Sequence, residues 1–541
     1  MSFALLRKAG HAALLMLAFA PVMLTAQPTT VRIDVPGSKP EEVAIAINPT
    51  NPDNIIAGAN LRFVFRSFDG GATWTQSQLP NDTYGDPCVI FDADGRAFFA
   101  HLTVGWDAIT VRRSLDGGLT WSSGVKLKGP SSPQARPGSL FNSSLQDKEW
   151  LVADMTTTPT RGNIYATWTD FTRYGSSAPT DSSVIVFARS TDHGETFDPY
   201  VRISDVAGDA VDSDNTVEGA VPAVGPGGEI YVAWAGPDGL VFDRSFDAGL
   251  TWGTDRIISD MPGGWDVDIS GVYRANGLPI TVADISSAPT RGTLYVNWVD
   301  ARNGDHDVFI VRSTDRGDTW SAPIRVNDDP LRNGCEQFFT WAAVDPITGE
   351  LAIVFYDRRN YASDTTDVYL ARSTDGGVTF RNERIAGSTF FPTPFVFMGD
   401  YNCVAAYDGR VRPIWTRLHN TDLSIHTALI DATVPVDRAP PPSGRMQFEI
   451  RPNPVAPGTS GDARVVLDIA EASHVTVRVH DMVGHTLATL HDGWCARGTL
   501  TLPLDTSHLP AGTYLVRMQR EGLGDGAQRG TVAGRLVTIL R

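Results

Sequence analysis

The sequence predicts an all-β protein: a β-propeller, of seven blades with six as the alternative, followed by a small C-terminal β-sandwich. Three observations lead there. Six near copies of Ser-x-Asp-x-Gly-x-Thr-Trp/Phe start at Ser67, Ser114, Ser190, Ser245, Ser313 and Ser373, with gaps of 47, 76, 55, 68 and 60 residues; repeats of that size belong to propellers or solenoids. Between the copies, short apolar strands alternate with turn residues and helical periodicity is nearly absent. Around each copy the strands recur in a fixed order, as four antiparallel strands do in a blade.

Taken from the N-terminus, Arg7 and Lys8 precede the apolar run 12–24 and then the small residue Ala26. This reads as a secretory signal over 1–26, too short to anchor the chain, and no other segment approaches the length of a membrane span. The propeller should occupy 27–434. Its clearest unit, 146–205, runs "KEWLVAD", "GNIYATW", "SVIVFARS", the box, then "YVRISD"; 278–328 repeats it with "LPITVAD", "GTLYVNW", "DVFIVRS", the box and "IRVND". After the sixth box come three more strands, "GDYNCVAAYDG", "RVRPIWTR" and "LSIHTALID", without a fourth. The strand "TTVRIDVPG" (29–37) resembles the other fourth strands and should complete this unit, closing the ring with blades of about 58 residues over 29–434. A decorated six-bladed ring is the other reading. A Pro-rich linker (435–445) leads to a strand-rich tail, 446–541.

Within each box, Asp is suited to accept hydrogen bonds from turn amides. Gly permits the positive φ of a tight hairpin. Ser and Thr can bond within the same loop, and Trp or Phe buries a large apolar face between sheets. The box therefore reads as a hairpin staple. It is the Asp-box, or BNR repeat, and the chain resembles the sialidase-like Asp-box propellers over about 65–380. The tail resembles the C-terminal sorting domain of type IX secretion substrates through "PNP" (452–454), "VHDMVGHTLATL" (479–490), "LPAGTYLVRM" (509–518) and the final "GRLVTILR". That resemblance implies passage through the type IX secretion machinery, and a protein secreted from, or held on the outer surface of, a Gram-negative-type bacterium.

A net charge of −17 supplies no basic stripe for phosphates and argues against a nucleic-acid partner. Four cysteines are too few for a disulfide framework and leave room for one bridge. Chemistry is expected at the channel mouth, where the first strand of each blade begins and the second ends. Acids at or near the start of the first strands are Glu42, Asp86, Glu149, Glu218, Glu336 and Asp400; Arg274 and Asn276 interrupt the run. They read either as solvated loop acids or as a cation site or raised-pKa acid. After the second strands come Asp170, Asp300 with Arg302, Asp357 with Arg358 and Arg359, and Arg417. These are either Asp–Arg pairs that fix loops or a clamp for a substrate carboxylate. Trp168, Trp298 and Trp415 read as core.

The sialidase resemblance implies roles for some of them. Arg302, Arg358 and Arg417 would hold the sugar carboxylate, Tyr401 with Glu336 would be the nucleophile and its partner, and Asp170 or Asp300 the acid. Asp357 belongs to the same catalytic set. The family's Arg-Ile-Pro motif is absent, its closest string being "VRIDVP" (31–36) in the closing strand. The expected function is a secreted propeller acting on an extracellular glycan or glycoprotein, as an exo-glycosidase or as a non-catalytic binder. No cofactor is required. The loop 208–219, with Asp209, Asp212, Asp214 and Glu218, offers oxygen ligands for Ca²⁺ without EF-hand spacing.

Overall fold

The computed structural model describes residues 28–130, 145–431 and, with short gaps, 448–540. The signal sequence (1–26) and the linker (435–445) expected from the sequence lie outside the described residues. The chain divides into two units, Met1–Ala432 and Thr433–Arg541. Every element of the described residues is a strand, and none of their helices is long and apolar enough to cross a membrane.

The first unit contains seven four-stranded antiparallel sheets. Six are consecutive in the chain; the seventh joins Cys403–Tyr407, Arg410–His419 and Asp422–Asp431 to the N-terminal strand Thr29–Arg32. Thr29 lies opposite Leu429 and Arg32 opposite His426. The first strands pack side by side in a closed cycle: Glu41–Ile47, Thr83–Phe91, Leu145–Ala153, Glu218–Val224, Ile280–Ala283, Gln337–Val344, Cys403–Tyr407 and back to Glu41–Ile47. That cycle is the wall of a propeller channel. Its lining away from the mouth is apolar, with Ile45, Val89, Val152, Val221, Val282 and Val404 among its residues. Trp168, Trp298 and Trp415, on equivalent second strands, are fully buried between sheets, as expected of core residues.

The boxes form the hairpins after the third strands. In the box 313–320 the Ser313 hydroxyl donates to Asp315 (2.7 Å) and accepts the Gly317 N–H (2.8 Å). Asp315 accepts the Thr319 N–H (2.9 Å) and hydroxyl (2.6 Å). The Thr319 bonds hold the Asp315 carboxyl down at about 2. The other five boxes repeat this set.

The box also does something its composition does not announce. In four of the six boxes the arginine that precedes the box serine, Arg113, Arg189, Arg244 or Arg312, reaches into the box of the next sheet. Arg113 donates to the His193 carbonyl (3.0 Å), Arg189 to that of Ala248 (3.1 Å) and Arg312 to that of Gly376 (3.1 Å). Across the ring closure, Arg412 donates to the Gly70 carbonyl (2.9 Å). The accepting residue has φ between +60° and +76° in each of these boxes, which turns its carbonyl outward toward the neighbour. The hairpin staple is thus also a clasp between sheets.

The second unit pairs Phe448–Arg451, Arg464–Ile469 and Gly498–Pro503 in one sheet, and Ser473–His480, Thr486–Cys495, Gly512–Glu521 and Thr531–Ile539 in another. Val465, Leu467, Val477, Val516 and Val537 share one core. Asn453, in the "PNP" string, donates to the Leu536 carbonyl (2.8 Å) and accepts the Thr538 N–H (3.0 Å), tying that string to the last strand. All four cysteines are free thiols.

Candidate functional site at the channel mouth

Five of the seven first strands carry a β-bulge at the same place, just inside the channel mouth. The bulged residues include Glu42, Asp86, Lys148, Gly219 and Phe339, with φ of +48°, +52°, +51°, +74° and +51°. Left-handed backbone costs a non-glycine residue roughly 1–2 kcal/mol. A bulge re-aims the side chain that it carries. Four non-glycine residues held this way at one level of the channel are therefore a candidate site, inferred from strain rather than from resemblance.

The bulges gather charge. Asp400 is buried between two cations: the Lys148 ammonium is 2.7 Å from one oxygen, and Arg274 is paired to the other. Asn276 adds a bond to the Asp400 backbone carbonyl (3.0 Å). Burial works against the charged carboxylate, but Arg274 and Lys148 outweigh it and hold the Asp400 carboxyl well below its usual range. Asp400 in turn raises Arg274, and against burial it raises Lys148 too.

The surrounding acids shift the other way. Burial, then the neighbouring carboxylates, push Glu42, Asp147, Glu149 and Glu218 well above the usual carboxyl range. Glu42 accepts from the Asn60 amide, and Asn60 also accepts the Asp86 N–H (2.7 Å). Glu149 is different: it is 2% exposed and no other residue donates a hydrogen bond to its carboxyl oxygens. It lines a cavity of about 50 Å³ together with Trp150, Trp341, Tyr401, Asp86, Lys148 and Asp400. The Trp150 and Trp341 ring centres are 4.2 Å apart, and Tyr401 lies 6.2 and 6.1 Å from them. Lys148 sits over the Tyr401 ring at 5.1 Å. Around the mouth are exposed aromatics: Tyr273 (61%) beside Phe397, Phe395 (89%), and Tyr84 against Trp106.

No family model and no curated protein matches this chain. Solved structures do align with it. A Hadza microbial sialidase, Hz136, aligns at 15% identity over 70% of this chain and 73% of its own, with a TM-score of 0.41. The NanB sialidase of Streptococcus pneumoniae aligns at 10% identity over 70% and 83%, with a TM-score of 0.42. An α-L-arabinanase of Penicillium chrysogenum aligns at 12% identity over 75% and 99%, with a TM-score of 0.39. The all-β propeller assignment rests on the sheet order and the closed cycle of first strands.

The residues singled out from the sequence fall in three places. Tyr401 lines the mouth cavity, and burial followed by Glu42 and Asp86 raises its hydroxyl well above its usual range. Glu218 belongs to the raised acids of the mouth and accepts the Thr216 hydroxyl (3.2 Å). The residues after the second strands serve local loops. Asp170 accepts the Gln146 amide (2.6 Å), and Asp357 accepts the equivalent Gln337 amide (3.2 Å) and the Arg359 backbone (2.7 Å). Asp300 accepts the Trp298 indole (2.7 Å) and the Arg302 backbone and guanidinium (3.0 and 2.9 Å). Arg358 donates to Thr366 (3.2 Å) and pairs with Asp364 (3.3 Å), and Arg417 donates to the Thr389 carbonyl (3.0 Å). The three arginines of the expected clamp thus have three separate sets of partners. Glu336 accepts two bonds from His306, at 2.8 and 2.7 Å. Burial alone would raise its carboxyl, but those bonds leave it below its usual range.

The loop acids considered for calcium do not converge. Asp209 accepts the Val211 N–H (3.0 Å), Asp214 the Asp266 N–H (2.8 Å), and Asp212 the Tyr174 hydroxyl beside Arg274. Among the described residues, Asp92, Asp94 and His193 bring ligand atoms together, and Arg96 already bonds all three.

Sequence reading did not select Asp147, Lys148, Trp150 or Trp341, and treated Arg274 and Asn276 as an interruption. Superposing the units on their bulges would have aligned Glu42, Asp86, Lys148, Gly219 and Phe339; two acids, an amine, a glycine and an aromatic ring share no single chemical type, so the pattern is one of position.

Proposed function

We propose that the acidic channel mouth is a glycan site that supports hydrolysis of a neutral or basic sugar. One observation carries this reading: Asp400, paired to Lys148 and Arg274 and held below its usual range, stands in the same cavity lining as Glu149, a buried acid to which no other residue donates and which burial pushes above its usual range. Two carboxyls with environments that separate their protonation are what glycoside hydrolysis requires. Glu149 is the proton donor in this reading, and Asp400 the charge that stabilises the developing cation. The exposed aromatics of the rim give apolar faces for sugar rings. The excess of acids over Lys148 and Arg274 disfavours an anionic sugar, and no argument for a sialoside arises from the mouth. The N-terminal signal and the tail motifs suggest that the work is done outside the cell, with the tail as an address.

A second reading is favoured by the pairing of both Asp400 oxygens with cations, which leaves that carboxylate little freedom to act. The protein is then a binder of glycans without turnover. A panel of neutral, amino and acidic glycosides decides between them. Turnover that falls about 10²–10⁴-fold in Glu149→Gln, the usual worth of a general acid, supports hydrolysis. Binding without turnover, weakened by the same variant, supports the second reading. No binding and no turnover across the panel removes both.

A further inference from the structure

We propose that the cavity at the channel mouth receives a protonated primary amine, so that the ligand is a glycan bearing free amino groups; the sugar part rests on the glycan reading above, the amine part on the cavity itself. The cavity is small. About 50 Å³ holds roughly three to five water-sized groups, each needing about 10–15 Å³. A sugar ring does not fit, whereas one substituent does. Its lining includes the aromatic rings of Trp150, Trp341 and Tyr401 beside the aliphatic Leu278 and Ile280. Ring faces attract a cation, more strongly where it is desolvated. The same lining holds Glu149, buried and with no other residue donating to its oxygens, together with Asp86, Asp400 and the Lys148 ammonium. A buried carboxyl with no donor is costly, and an ammonium group supplies the missing donors and the missing charge together.

The charges that face Glu149 agree. Asp86 and Asp147 are acids, and Lys148 is the one cation among its nearest titratable neighbours. Lys148 is already committed to Asp400 and to the Tyr401 face. In the cavity lining itself the acids Glu149, Asp86 and Asp400 outnumber the one cation, Lys148, so an incoming anion is disfavoured and an incoming ammonium finds acceptors. Binding also has a proton balance. An amine that arrives neutral takes the Glu149 proton, and one that arrives as ammonium displaces that proton to the buffer.

Methylammonium is the simplest probe, because it carries the amine without a sugar. Titrated into the full chain at constant ionic strength, it should quench tryptophan fluorescence saturably through Trp150 and Trp341, and E149Q should weaken it at least tenfold. Trp341→Leu should weaken it several-fold, which keeps the test alive should E149Q not fold. Calorimetry in two buffers of different ionisation enthalpy should show proton release on binding. Glucosamine oligomers should compete with methylammonium at least tenfold better than their N-acetylated counterparts. No saturable methylammonium signal, equal affinity in wild type and E149Q, or a preference for the N-acetylated oligomer overturns the amine site. Methylammonium binding with no oligomer binding leaves the amine site standing and removes the glycan reading.

Discussion

The fifth residue of every box is glycine, and its replacement tests whether the box joins sheets or only closes a hairpin. Gly317 has φ of +84°, and a Cβ there would lie 2.5 and 2.6 Å from ring atoms of Phe242. Phe242 belongs to the third strand of the preceding sheet and is buried; Trp320, from the same box as Gly317, packs against its ring edge at 5.0 Å. Gly317→Ala therefore carries two penalties. The left-handed backbone costs roughly 1–2 kcal/mol, and crowding a packed core costs about 1–3 kcal/mol more. Unfolding entropy of about 2.1 cal/mol/K per residue over the 28–431 unit turns this sum into a fall in Tm of roughly 2–6 °C. The backbone term can be isolated, because the preceding position holds Arg316 at φ +62°; left-handed geometry by itself is tolerated in this turn. Differential scanning calorimetry on Gly317→Ala, Phe242→Leu and the double variant measures the coupling. The crowding argument requires the double variant to be more stable than the sum of the single changes by about 1 kcal/mol or more. Additive effects, or a Gly317→Ala protein that melts with the wild type, would show that the glycine serves its own turn and not the neighbouring sheet.

Removing the Arg189 clasp to the Ala248 carbonyl with Arg189→Ala should cost about 1.5–3 kcal/mol, the range for a hydrogen bond from a charged donor, and a urea midpoint unchanged from wild type would refute a role between sheets. Asp400→Asn leaves Lys148 and Arg274 facing each other without their carboxylate; breaking a buried pair costs about 3–5 kcal/mol, and Lys148→Met in the same chain should restore part of it. Thermal stability should fall as pH rises from about 5 to 8. Glu42, Asp147, Glu149 and Glu218 titrate above their unfolded values, and Glu41 is pushed by burial from 4.5 up to about 7. Burial lowers His101 and His426 to about 4, which opposes the trend below about pH 6.5, but the five raised acids outnumber them, so the folded state binds more protons and stability decreases with pH. Asp400, depressed instead, contributes above its unfolded value and loses its contribution only in stronger acid. A Tm that climbs steadily from pH 5 to 8 would contradict this assignment.

What repeats in the chain was readable from the chain. The box predicted its own hydrogen bonds, since Ser313, Asp315, Gly317 and Thr319 each do what the side chain suits. The strand order predicted that 29–37 would complete the last sheet, and Thr29–Arg32 pairs there. The arginine clasp was hidden because its acceptor is a backbone carbonyl one sheet away, and a carbonyl leaves no mark in a sequence. The strings "WVDAR" and "FYDRR" allowed two readings; in the structure the i, i+2 spacing lets Asp300 hold Arg302 and Asp357 hold Arg359 within one turn. Lys148 was hidden for a different reason. Its place inside "KEWLVAD" gives strand propensity but no sign of the bulge that turns it inward.

The division of labour follows from antiparallel topology. A first strand begins at the end of the sheet where the second strand finishes, and the third strand runs away from that end to its box. The boxes and the channel mouth therefore lie at opposite ends of every sheet. Selection for a shared hairpin fixes one end to a single sequence. At the other end five of the seven sheets share a frame, a bulge at one level of the channel, and each of the five places its own residue on it: Glu42, Asp86, Lys148, Gly219 or Phe339. A ring of unlike residues in like backbone positions can set one carboxylate between two cations and leave another with no donor from any other residue. Seven copies of one side chain could not do so, because their protonation states would be equivalent. The repeat thus marks the end of the molecule that holds the sheets together, and the chemistry belongs to the end where the repeat breaks down.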